Sequence, residues 1–130
     1  MDAHPHVLVV DAEPLCRWAL HETLADAGLH VTDADEDVDS VDIENVDVLV
    51  LDAALPQGAA FRVLERVRAR SPKCRVVVMT AFGDVELQRL PPLPTTGWRM
   101  IQKPFDVRRI VPLVIELAEA DTRAIGTPTE

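Results

Sequence analysis

The chain has 130 residues, 48% of them hydrophobic, which suits one compact domain able to bury a core without disulfides or a structural metal. No apolar run approaches the roughly 18 residues of a bilayer crossing, and the opening MDAHPH lacks the basic and apolar stretches of a secretion signal, so a cytoplasmic protein without a membrane segment is expected. The net charge is −9, with Lys and Arg outnumbered 13 to 22; phosphate binding needs clustered cations, so direct nucleic-acid contact is not expected.

The elements follow one another in a simple order. Val7 to Val10 is a short apolar run that predicts a first strand, and Pro14 to Ala27 a helix with Pro in its first turn and Gly28 just past its end. Leu29 to Thr32 predicts a second strand. Asp33 to Asn45 must hold the second helix, but Asp and Val are indifferent helix formers, so one or two turns are expected. Val46 to Leu51 predicts the third strand, then Ala59 to Arg70 a helix with Phe61, Leu64 and Val67 on one face. Val76 to Met79 predicts the fourth strand. The stretch from Asp84 begins helically, but Pro91, Pro92 and Pro94 supply no backbone donors, which ends that helix near Leu90. Trp98 to Ile101 predicts a fifth strand and Asp106 to Ala120 a last helix, capped by Asp106 and kinked at Pro112. Runs without alternation read as strands covered on both faces, and their alternation with helices implies a parallel α/β sheet. One domain over residues 1–121 is expected, with 122–130 a flexible tail or truncated linker.

Four of the strand runs lead into a polar residue of interest: Val7 to Val10 into Asp11, Val46 to Leu51 into Asp52, Val76 to Met79 into Thr80 and Trp98 to Gln102 into Lys103. Singly, each reads as structural: a charge near a helix start, a turn former, a strand-end hydroxyl, a solvated cation. Together they read as a site, because ligands of open parallel sheets bind outside the carboxyl ends of the strands. Two acids, a hydroxyl and an ammonium suit phosphoryl transfer to a carboxylate. Asp52 would attack, Lys103 and Thr80 would hold phosphoryl oxygens, and Asp11 with Glu13 would help hold Mg²⁺. Glu13 reads equally well as a first-turn helix charge. Trp18 and Trp98 read as packing residues, Cys16 and Cys74 as free thiols without a function, and none of the four histidines has ligand spacing; His4 and His6 precede the first strand.

The stretches VLVVDAEP (7–14), VLVLDAALP (48–56), VVVMTAFGD (76–84) and QKPF (102–105), in that order, resemble the blocks of response-regulator receiver domains over about Val7 to Ala120. The resemblance implies a flavodoxin-like fold with five parallel strands in the order 2-1-3-4-5 and helices on both faces. It implies that Asp52 is the phosphoacceptor, that Thr80 and Lys103 contact the phosphate, and that Lys103-Pro104 is a cis peptide. The metal set it implies for Mg²⁺ is Asp11, Glu13, Asp52 and Ala54.

Three departures from the family pattern stand out. Asp11-Ala12-Glu13 replaces two consecutive acids, which implies weak Mg²⁺ binding. Gln57-Gly58-Ala59-Ala60 replaces a Gly-x-Asp-Gly turn, and Met100 replaces the aromatic that reports phosphorylation. The function implied is a receiver in a two-component phosphorelay, a phosphoacceptor rather than an enzyme. Its donor would be a histidine kinase or phosphotransfer protein, and it would act on an output partner or domain. The alternative is a pseudo-receiver interaction module that is phosphorylated poorly or not at all. A flavodoxin or a phosphatase is disfavoured by the lack of a Ser/Thr/Gly phosphate loop and of a second Asp after Asp52. The short fourth helix, Pro112 and Met100 together predict that no phosphorylation-driven dimer forms on the fourth-helix, fifth-strand and fifth-helix face, and that partners use the surface around the first helix.

Overall fold

The computed structural model describes residues 4–93 and 97–119. Its strands are β1 (His6–Val10), β2 (His30–Ala34), β3 (Val48–Asp52), β4 (Arg75–Thr80) and β5 (Trp98–Gln102). All neighbours pair in parallel, in the order β2-β1-β3-β4-β5. Every residue of β1 and β3 is buried, which is why those runs carry no polar alternation. Successive side chains point to opposite faces: Val7, Val9, Val48, Val50, Val77 and Met79 meet α1 (Pro14–Asp26) and α4 (Ile110–Glu119). Leu8, Val10, Leu49, Leu51, Val76 and Val78 pack with α2 (Ala59–Arg70) on the other face, where Leu87 of α3 (Asp84–Leu87) also rests. Fully burying each such side chain is worth roughly 1.5–3 kcal/mol relative to exposure.

Local signals decide where the elements end. Past α1, the Gly28 N–H donates to the Ala25 carbonyl (2.9 Å) and the Leu29 N–H to the Leu24 carbonyl (3.3 Å). These are the two bonds of a Schellman stop, which Gly28 permits at φ +92°. The expected second helix is reduced to one 3₁₀ turn, Val38–Ser40. Aspartates on either side turn the backbone locally, Asp35 accepting from the Asp37 N–H and Asp42 from the Glu44 N–H, both at 2.9 Å. Buried Ser71 then ties this segment down, its Oγ donating to the Ile43 carbonyl (2.7 Å) and accepting from the Val46 N–H (2.9 Å).

Six expectations need correction. α3 ends at Leu87, earlier than Leu90; Pro94 lies outside the described residues. Asp106 does accept from the Arg108 N–H (3.0 Å), but it caps a 3₁₀ turn, Val107–Arg109. α4 therefore starts only at Ile110, and Pro112 stands in its first turn, where backbone donors have no partner within the helix, so the basis for a kink disappears. Phe61 is 45% exposed, because the buried face of α2 runs through Ala60, Val63, Leu64 and Val67. Trp18 is 64% exposed and is no packing residue. His6 opens β1 and is buried, paired through Nε2 with Thr32 Oγ1 (3.0 Å). Trp98 packs against the core as expected. Ala120 and the expected tail 122–130 lie outside the described residues, and among the described residues no helix is long and apolar enough to cross a membrane.

Candidate functional site

The sheet brings Asp11, Asp52 and Lys103 together at the carboxyl ends of the strands. Asp11 leaves β1 fully buried, and Asp52 closes β3 almost so. Lys103 Nζ donates to Asp11 Oδ2 at 2.9 Å and stands 3.5 Å from Asp52 Oδ2. Each carboxylate is also held by a backbone donor: Asp11 Oδ1 accepts from the Glu13 N–H and Asp52 Oδ1 from the Ala54 N–H, both at 2.9 Å. Arg17 Nη1 donates to the Asp11 carbonyl (2.6 Å), fixing the start of the β1–α1 loop from the side of α1. The Lys103-Pro104 peptide is cis, and the Lys103 N–H donates to the Thr80 carbonyl (2.7 Å).

Thr80, the last residue of β4, is fully buried, yet its Oγ1 has no hydrogen-bond partner. A buried hydroxyl in that condition costs about 1–3 kcal/mol, and a ligand oxygen reaching it would recover the loss. Glu13 is exposed and precedes Pro14 at the start of α1; its side chain makes no capping bond. A Glu13 carboxylate oxygen, an Asp11 carboxylate oxygen and Cys16 Sγ lie within 4.8 Å of one another. Ala12 and Ala54 are exposed, and neither has a side-chain oxygen to contribute.

The charges are unequal in their settings. Burial penalises the Asp11 carboxylate, but hydrogen bonds from Cys16, the Glu13 N–H and Lys103 outweigh it and hold Asp11 below the ordinary carboxyl value. Burial pushes Asp52 up, and its bond from Ala54 and its longer contact with Lys103 do not fully offset this. Lys103 is raised despite burial, since both carboxylates favour its proton. Burial and the bond to Asp11 push the Cys16 thiol to about 12, so it stays protonated beside the site. Sequence reasoning missed Cys16, although its position on the first turn of a helix that starts at the site was a usable signal. It also missed Glu86, which is buried in α3 and accepts from the Ala81 N–H at 2.7 Å.

The sequence model of the response regulator receiver domain matches residues 7–115. The chain belongs to that family. Relatives of this receiver domain include the DNA-binding transcriptional regulator NtrC of Escherichia coli, 31% identical over 111 residues that make up 83% of this chain and 24% of that protein. Sporulation initiation phosphotransferase F of Bacillus subtilis is 28% identical over 84 residues, 62% of this chain and 68% of that protein. The receiver domain spans only 22 to 24% of several curated relatives, among them NtrC and a cyclic di-GMP phosphodiesterase of Thermotoga maritima. Among solved structures it is similar in fold to a receiver protein of Sinorhizobium medicae (22% identity, 90% of this chain and 96% of that chain, TM-score 0.71). The chemotaxis protein CheY4 of Vibrio cholerae is comparable (23% identity, 88% and 99%, TM-score 0.70). The chain is thus a receiver domain of two-component response regulators, with the flavodoxin-like sheet order its sequence implied.

Proposed function

We propose that this receiver domain accepts a phosphoryl group on Asp52 from a phosphohistidine of a histidine kinase or phosphotransfer protein and relays the change to an output partner or domain. The observation that carries the reading is the ammonium of Lys103 set between Asp11 and Asp52, beside the unsatisfied hydroxyl of Thr80. An Asp52 oxygen forms the new bond to phosphorus while the donor's bond to phosphorus breaks and the donor keeps its electron pair. Lys103 favours the ionised, attacking form of Asp52 and can move to the phosphoryl oxygens. The Thr80 hydroxyl can donate to one of those oxygens, and the Ala54 N–H fixes the orientation of Asp52. The chain serves here as an acceptor, not as an enzyme that turns over.

The donor set suits Mg²⁺ in part. Asp11, Glu13 and Asp52 would hold it through carboxylates and Ala54 through its backbone carbonyl; Ala12 offers nothing, which weakens the site. Mg²⁺, when bound, offsets charge on the phosphoryl oxygens. The exposed Ala12 also supports the second reading, a pseudo-receiver that binds partners without phosphorylation. Intact mass after incubation with Mg²⁺ and acetyl phosphate separates the two: a gain of one phosphoryl group is expected, and an unchanged mass would favour the pseudo-receiver.

Partner contact on the α1 surface is part of the proposal, since Leu15 and Trp18 are 76% and 64% exposed there, whereas α3 offers only four residues. The net charge of −9, with no helix among the described residues long and apolar enough to cross a membrane, suits work in the cytoplasm without direct nucleic-acid contact. The proposal includes a receiver unit over residues 1–121 followed by a tail or linker at 122–130.

A further inference from the structure

Glu86 is a buried carboxylate that the phosphoacceptor chemistry does not use. It is 5% exposed, and the hydrogen bond it accepts comes from the Ala81 N–H, at 2.7 Å. Ala81 directly follows Thr80, and Asp52 is paired in register with Met79, so the Ala81 N–H stands two residues beyond the level of the proposed acceptor on the adjacent strand. Two separate cavities lie against these groups. One of about 300 Å³ is lined by Glu86 together with Ala53 and Ala54, the residues that follow Asp52. The other, about 520 Å³, is lined by Ala81 together with Lys103.

An N–H that binds a carboxylate oxygen at this distance is an oxyanion donor. It directly follows Thr80, whose buried hydroxyl is unpartnered and whose carbonyl accepts from the Lys103 N–H (2.7 Å). On the reading of Asp52 as acceptor, a phosphoryl oxygen arriving at the end of β3 meets these groups, and the Ala81 N–H among them is already occupied by the chain itself. The Ala81 carbonyl is engaged as well, accepting from Gln102 Nε2 (3.3 Å), so residue 81 is held from both sides.

We propose that Glu86 is an internal competitor for the phosphoryl group: its carboxylate occupies the Ala81 N–H, must give it up when Asp52 is phosphorylated, and thereby slows and weakens phosphorylation. The inference rests on the reading of Asp52 as phosphoacceptor. Phosphoryl transfer from acetyl phosphate is balanced without Glu86: the Asp52 oxygen–phosphorus bond forms, the phosphorus–oxygen bond to acetate breaks, and acetate leaves with the electron pair. Glu86 acts only on the donor that receives the phosphoryl oxygen and is a positioning residue.

The test compares the full chain with Glu86→Gln and Glu86→Asp. Gln keeps an acceptor but loses the charge; charge-assisted hydrogen bonds are roughly twice as strong as neutral ones. Asp keeps the charge but is one methylene short of the Ala81 N–H. Initial rates of phosphorylation by acetyl phosphate at fixed Mg²⁺ are read by intact mass, and the Ala81 amide resonance is followed in the same samples. Both variants are expected to be phosphorylated on the order of fivefold faster than the parent chain, with the Ala81 amide shifted in the unphosphorylated state. A purely structural role for Glu86, pinning the loop, predicts the reverse, equal or slower phosphorylation in both variants. Either of those results, with the parent chain phosphorylated, overturns the competitor role and leaves the acceptor reading standing. Absence of phosphate from the parent and both variants would overturn the acceptor reading, and the competitor role with it.

Discussion

Replacing Lys103 with Met removes an ammonium that touches two buried carboxylates and leaves the stem in place. At 2.9 and 3.5 Å and an effective dielectric of roughly 20, the two contacts carry about 5–6 kcal/mol of attraction each, before the cost of taking the charges out of water. Removing one partner of a buried pair costs about 3–5 kcal/mol. Lys103 keeps 23% of its side-chain exposure, so the lower end, about 3 kcal/mol, is expected for Lys103→Met at pH 7. The loss depends on pH with a definite sign. Without Lys103, Asp11 and Asp52 both move upward, since each loses a partner that favours its ionised form. The deficit is therefore full where both carboxylates are ionised and shrinks as pH falls through their raised values in the variant. Lys103 itself, raised above 10.5, stays charged throughout the acid and neutral range and adds no slope there. Urea denaturation of both chains at pH 7 and pH 4.5, with the double variant Asp11→Asn/Lys103→Met, measures all of this. The double variant should regain part of the loss, because it buries one charge fewer. A deficit below about 0.5 kcal/mol, the range of ordinary surface substitutions, or one equal at both pH values, would refute the central place given to Lys103.

Asp52→Asn should abolish the phosphoryl gain seen by intact mass; phosphate retained on a different acid would show that Asp52 is not the acceptor. Ala12→Asp should tighten Mg²⁺ on the order of tenfold by restoring a carboxylate, and equal affinities by calorimetry would mean that Glu13 already fills the place. Ser71→Ala should cost about 1–3 kcal/mol, because the buried Ile43 carbonyl and Val46 N–H both lose their partner; chemical denaturation with a loss under 0.5 kcal/mol would contradict that. In sedimentation with beryllofluoride the chain should stay monomeric, and a dimer that Arg108→Glu abolishes and Trp18→Glu spares would sink the proposal that α1 is the contact surface.

The parts of the fold that could be read in the sequence are those where burial on both sides removes ambiguity. Val7 to Val10 and Val48 to Leu51 are continuous apolar runs because β1 and β3 are covered on two faces, and the residues that follow them had to lie at one end of the sheet. That rule brought Asp11, Asp52, Thr80 and Lys103 into view from sequence alone. The segments misread were those whose state depends on neighbours far along the chain. Residues 33–45 could be written as a weak helix, but Asp side chains turning their own backbone and Ser71 reaching in from the end of α2 decide in favour of a single turn. Spacing alone puts Phe61 on one face with Leu64 and Val67, although 61, 64 and 67 drift around a helix and only the last two are buried. Pro112 changed meaning because three residues of 3₁₀ helix moved the start of α4 toward it. Cys16 and Glu86 carry no motif: each meets a partner five residues earlier, Asp11 and Ala81, only once the loop between strand and helix is folded.

The loss of an acid at position 12 has two opposite consequences at one site. On the proposed metal set, it removes a ligand oxygen and would weaken attraction for a divalent cation. It also removes a negative charge from the place where an incoming phosphoryl group adds roughly two more. The side chains of Asp11, Glu13, Asp52 and Lys103 together carry a formal charge of −2; a carboxylate at position 12 would make it −3. Dependence on the metal and tolerance of the phosphoryl charge are therefore adjusted together, and a chain that binds Mg²⁺ weakly also requires less of it to offset repulsion. The half of the site proposed to face the phosphoryl oxygens, Lys103, Thr80 and the backbone donors, is untouched by that change. Ala12 by itself is accordingly an argument about metal affinity, and it does not count against phosphorylation of Asp52 to the same degree.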